Sequence, residues 1–212
     1  MNKKLFLIPI ILGIAAVISV SLTFVSEESS ESQPTSIYDG GFTYYDIETI
    51  QTTLAEQNIT VSTPVAVTDH TVSQYCTFFE NQLPKTVDYC TTTNVLDSEG
   101  KTLGNINMGG DTNSPILAIA NLETTNLESN RDDVLSVIEV MIETLVCDCW
   151  EEEKSDDDLE SISAWVDAVY NFYNDSGQRN VKSRVDDLGT SVITLEVTSK
   201  ENSILQTLII LK

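Results

Sequence analysis

The chain holds one histidine, His70, and only 11 Lys and Arg against 33 Asp and Glu in 212 residues. Each scarcity removes a class of function. With a single imidazole, any Ser-His-Asp or Cys-His chemistry has to pass through His70, and no Gly-x-Ser-x-Gly stretch supplies a nucleophile elbow. His70, between Asp69 and Thr71, reads as a solvated loop residue. The shortage of positive charge leaves a formal net charge of −22. Such a field repels phosphate backbones and anionic lipid surfaces, so nucleic acid is not an expected partner, whereas cations, basic partners and salty surroundings suit it. No repeat of solenoid or propeller length is present, nor are the paired Cys-x2-Cys spacings of zinc sites or the alternating aspartates of an EF-hand loop.

What is present begins with Lys3 and Lys4, followed by a run from Leu5 to Val25 without a charged residue. At ~1.5 Å per residue it makes a helix of roughly 31 Å, matching a hydrocarbon core of about 30 Å. Residues 1–25 are therefore read as a signal-anchor transmembrane segment, with its N-terminus cytoplasmic because the lysines precede it and Glu27, Glu28 and Glu31 follow. The alternative is a secreted protein cleaved near Ser19-Val20-Ser21. Residues 26–36, SEESSESQPTS, lack apolar side chains and form an acidic, Ser-rich stalk. Residues 37–212 are long enough for one extracytoplasmic domain.

Three amphipathic helices are predicted in that domain. The first covers Tyr44 to Gln57; the second follows Asn130 as N-cap and ends near Cys147; the third starts at Ser155, with Asp156, Asp157 and Asp158 in its first turn. Leu159, Ile162, Trp165, Val166, Val169 and Phe172 trace the third helix's buried side. Strands are predicted over Ile59 to Val67, interrupted by Pro64, then Val87 to Leu96, Thr102 to Met108 and Ile116 to Leu122. A closing meander runs through Val181 to Leu188, Ser191 to Thr198 and Ile204 to Leu211. Short connections without regular β-α-β alternation imply an α+β domain, with about three helices on an antiparallel sheet.

Four cysteines, Cys76, Cys90, Cys147 and Cys149, form an even set on the exterior side and are read first as disulfides, with the connectivity open among three pairings. The competing use is a zinc, copper or thiol-redox site in which His70 joins the four sulfurs. The acidic run of Glu151, Glu152, Glu153, Asp156, Asp157, Asp158 and Glu160 offers oxygens to calcium, although without EF-hand spacing a solvated linker and helix start is the favoured reading. Asn58-Ile59-Thr60 and Asn174-Asp175-Ser176 are glycosylation acceptors in an exterior domain. Asp175-Ser176-Gly177 resembles the aspartic-protease triplet in those three residues alone and lacks apolar strand flanks, so it is read as a turn. Arg179, Lys182 and Arg184 interrupt the acidity and are expected to pair with neighbouring carboxylates. The reading that follows by elimination is a membrane-anchored binding or interaction module, a cell-envelope component with an exterior protein or cation as partner. An enzyme, or a metal or redox protein built on the cysteines and His70, is the runner-up.

Overall fold

Residue alternation in the strands decides the architecture, because it marks two unlike faces of one sheet. The computed structural model describes residues 41–68, 70–80, 83–150, 160–188 and 190–212. The chain divides after Asp39 into two units, and every described residue belongs to the second, Gly40–Lys212. The predicted membrane helix, the stalk and most of the acidic run lie outside the described residues. Among those that are described, no helix is long and apolar enough to cross a membrane.

The domain is α+β. Its main sheet is ordered β1-β5-β6-β7-β10-β9-β8, and β2 also pairs with β5. These strands are β1 (Thr60–Val61), β2 (Val65–Ala66), β5 (Tyr89–Leu96), β6 (Thr102–Gly110), β7 (Pro115–Thr124), β8 (Asn180–Leu188), β9 (Ser191–Ser199) and β10 (Ile204–Leu211). All described pairings are antiparallel. Two meanders, β5-β6-β7 and β8-β9-β10, are sealed together where β7 meets β10. A separate hairpin joins β3 (Thr77–Glu80) to β4 (Leu83–Thr86).

Four helices are described: α1 (Asp46–Glu56), α2 (Val72–Tyr75), α3 (Arg131–Leu145) and α4 (Ile162–Ser176). The three longer ones bury the apolar stripes expected from their 3.6-residue period, with Ile47, Ile50 and Leu54 on α1 and Val134, Ile138, Met141, Ile142 and Leu145 on α3. They cover one sheet face, formed by residues such as Ile106, Met108, Ala118, Ala120, Leu195, Leu208 and Ile210.

α3 starts directly after Asn130, as the sequence reading has it, but the capping differs, and α4 starts later than expected. Asn130 precedes α3 in the left-handed region (φ 56°) and its side chain does not cap the helix; Nδ2 instead donates to Asp97 Oδ2 at 2.7 Å. On α4 the N-cap is Ser161, whose Oγ accepts from Ala164 N at 3.1 Å. Ser155, its aspartates and Leu159 lie outside the described residues. Tyr170 takes the buried place assigned to Phe172, which is 56% exposed. Trp165 lies one turn before Val169 on the same stripe, and its Nε1 donates to Ser183 Oγ at 2.9 Å.

Candidate functional site

The second face of the sheet is built differently. Cys76 Sγ lies 2.08 Å from Cys90 Sγ, which ties the end of α2 to β5 across 14 residues of chain. Around the bridge a small core of Val72, Val87, Leu117 and Ile119 forms, joined by the partly buried Tyr75 and Phe78. Gly109 makes this approach possible: a Cβ there would stand 2.7 Å from Val87 Cγ2 and 2.9 Å from Cys76 Sγ. The short helix and the hairpin thus cover the part of that face holding Cys90, Gly109, Leu117 and Ile119, and leave the positions of Asn94, Asn105 and Asn121 unburied.

Across the open part, register brings six polar residues into one row. Asn94 on β5 is opposite Asn105 on β6, which is opposite Asn121 on β7. The row continues through Thr207 on β10, Glu196 on β9 and Lys182 on β8. Directly opposite residues in an antiparallel pair share a face, and strands lie about 4.8 Å apart, so the row spans roughly 24 Å. None of its six members is buried.

The middle of the row is hydrogen-bonded. Asn105 Oδ1 accepts from Asn107 Nδ2 at 2.9 Å and from Asn121 Nδ2 at 3.3 Å, and Thr207 Oγ1 donates to Asn121 Oδ1 at 3.2 Å. Asn105 Nδ2 and the side-chain amide of Asn94 make no hydrogen bond among the described residues, while the Asn94 backbone N–H donates to Ser62 Oγ at 3.0 Å. Asn107 is wholly buried, and its Oδ1 has no partner among the described residues. A groove of about 600 Å³ opens over this stretch, lined by Asn94, Asn105 and Asn121 together with Tyr75 and Gln74 of α2 and by Glu123 and Lys200. Lys200 Nζ donates to Glu123 Oε2 at 2.6 Å, which neutralises that part of the lining and, together with a bond from Ser203, holds the Glu123 carboxyl below the usual range.

At the far end of the same face a cleft of about 710 Å³ separates the β3-β4 hairpin from the main sheet, lined by Phe78, Phe79, Arg184, Val192, Leu211 and Lys212. Burial lowers the pKa of Lys212, against the opposing pull of Asp46, and its Nζ sits 4.8 Å from the centre of the Phe42 ring. Arg184 pairs along its own strand with Asp186, Nε to Oδ1 at 2.6 Å, not across the sheet. Lys182 stands opposite Glu196, whose Oε1 instead accepts from Asn180 Nδ2.

The residues singled out from the sequence do not converge on one place. Cys147 and Cys149 form a second bridge, across two residues of chain, and pack on the helix-covered core, whereas Cys76 and Cys90 lie in the small core beneath α2. His70 is exposed in the turn before α2. Among the described residues no group of three or more His, Cys, Asp or Glu is placed to hold a metal ion. Asn58 is exposed in a left-handed turn (φ 64°) after α1, and Asn174 is exposed in the last turn of α4. Of the acidic run only Glu160 is described.

A carboxylate group does form beside the second bridge, in a pocket of about 240 Å³ lined by Glu139, Glu143, Cys147 and Asp148. Burial raises both glutamate pKa values above the ordinary 4.5; the Glu143 charge adds to the effect at Glu139, and Asp148 adds to it at Glu143. A carboxyl with a raised folded-state pKa is ionised at a cost in the fold, so its penalty is absent below the unfolded pKa and grows as pH rises through the folded one. The double variant Glu139→Gln, Glu143→Gln is therefore expected to melt higher than the native chain at pH 7, with the difference vanishing by pH 4. Melting curves at the two pH values check this.

No protein-family model, curated protein or solved structure matches this chain.

Proposed function

We propose that this protein is a membrane-anchored extracytoplasmic binding module, a cell-envelope component whose ligand surface is the polar row on the helix-free face of the sheet. The address rests on the sequence: the uncharged run over 5–25, the lysines before it and the acidic stalk after it. The binding role rests on one observation, the placing of four asparagines at 94, 105, 107 and 121 inside three adjacent strands.

Asparagine is depleted in strands because its side chain competes for backbone hydrogen bonds and packs poorly on a pleated surface. Burying Asn107 with an unpaired acceptor costs about 1–3 kcal/mol more. Places where a sequence departs from local rules in this way are characteristic of functional sites. Fixed amides beside an aromatic wall provide recognition without a nucleophile or base, so the surface suits binding better than catalysis.

The test uses the full-length chain in detergent, followed by backbone amide NMR while fractions of envelope polysaccharide, peptide and inorganic ions are added. Shifts confined to the open-face residues of β5, β6, β7 and β10, together with membrane retention through a carbonate wash, are the expected result. Shifts confined to the helix-covered face, or release by the wash, would contradict the reading.

A further inference from the structure

Resting on that reading, we infer that the row binds an extended, uncharged oligosaccharide laid across the strands. Three observations select this ligand class. The first is the chemistry on offer. Asn105 Oδ1 is already held by two donors, which fixes the plane of its amide and leaves Nδ2 pointing its protons elsewhere; the Asn94 side-chain amide has no hydrogen-bond partner among the described residues. Amides carry both donors and acceptors, which is what neighbouring hydroxyls require, since each hydroxyl donates once and accepts twice. Sites built to hydrogen-bond hydroxyls discriminate strongly against analogues lacking them.

The second observation is charge. Glu123 and Lys200 cancel each other at the groove wall, and the chain as a whole carries −22. An anionic chain would approach against that field, whereas a neutral polyol meets no such penalty. Tyr75 supplies the apolar surface against which the carbon-bearing face of a sugar ring can lie.

The third is spacing. The row repeats a polar side chain at each strand, about every 4.8 Å, close to the length of one hexose in a β-linked chain. The three row positions that line the groove, Asn94, Asn105 and Asn121, would then each serve one sugar, and the groove is within the ~300–1,000 Å³ typical of small-molecule sites.

The experiment titrates the full-length chain in detergent with neutral β-linked glucose and N-acetylglucosamine oligomers of two to six units, with the corresponding α-linked oligomers, and with an oligogalacturonate, reading affinity by calorimetry. Binding of a β-linked neutral series that tightens with length and weakens at least tenfold in Asn121→Val is the expected result. If no saccharide binds, the oligosaccharide inference fails, and the binding face stands only if the peptide or ion fractions of the NMR experiment shift its open-face amides. If only the oligogalacturonate binds, the charge argument is wrong and the inference fails with it. If every ligand binds Asn121→Val as well as the native chain, both the inference and the proposed site fail.

Discussion

Trp165→Ala is expected to lower the unfolding free energy by about 3–5 kcal/mol, the range for removing a large aromatic from a packed interior. Trp165 is 2% exposed and is among the largest fully buried side chains. Its ring stands 5.6 Å from that of Trp150, centre to centre, and its Nε1 reaches Ser183 of β8. Truncation opens a cavity between α4 and the sheet, removes the contact with Trp150 and leaves the Ser183 hydroxyl without its donor. Domains of this size have only about 5–15 kcal/mol in reserve, so the loss takes a large share. Urea unfolding at 25 °C measures it. Trp165→Phe should recover part of the loss, because it restores ring packing without the indole N–H. Equal loss in the two variants would place the effect in the Ser183 hydrogen bond and not in packing.

The second large effect concerns the Cys76–Cys90 bridge. Replacing both cysteines by serine is expected to remove about 3 kcal/mol, the chain-entropy value for a loop of roughly 15 residues. For a chain of this length that is roughly 6–12 °C in melting temperature. The consequence is also local. Apart from the bridge, α2 is held by a small core with few members, and Tyr75 of α2 is a wall of the groove. The double serine variant should therefore lose amide-exchange protection over α2 and the β3-β4 hairpin while keeping it in β7, β9 and β10. It should also lose ligand binding at temperatures where the sheet is intact. The Cys147–Cys149 bridge closes a far smaller loop, so its replacement should change the melting temperature much less.

The fold was legible wherever a long segment had one dominant period. The closing meander and the apolar stripes of α1 and α3 follow from spacing alone, since each buries a continuous face. The hairpin and α2 did not show: α2 is one turn long, and β4 is four exposed residues with Pro84 among them, too short for periodicity to act. The start of α4 is not fixed by sequence because Ser155 and Ser161 both offer a capping hydroxyl; the structure has Ser161 in that role. The asparagines were in plain view within strands predicted at 87–96, 102–108 and 116–122. Their low strand propensity was the available signal. That they line up was not readable, because the row depends on register between segments as far apart as Asn121 and Thr207, fixed only when β7 meets β10. The cysteines are reactive residue types that the sequence offers as one set, yet tertiary structure splits them into two bridges in separate cores.

The measurement that bears most directly on the central claim is the urea unfolding free energy of the triple variant Asn105→Val, Asn107→Val, Asn121→Val. If the row exists for a ligand, replacing it with β-branched residues raises strand propensity and removes the unpaired acceptor of Asn107, so the variant should be as stable as the native chain, within about 1 kcal/mol, or more stable. A loss of about 3 kcal/mol or more would show that the amides hold the sheet together, and would contradict the assignment of this face to binding.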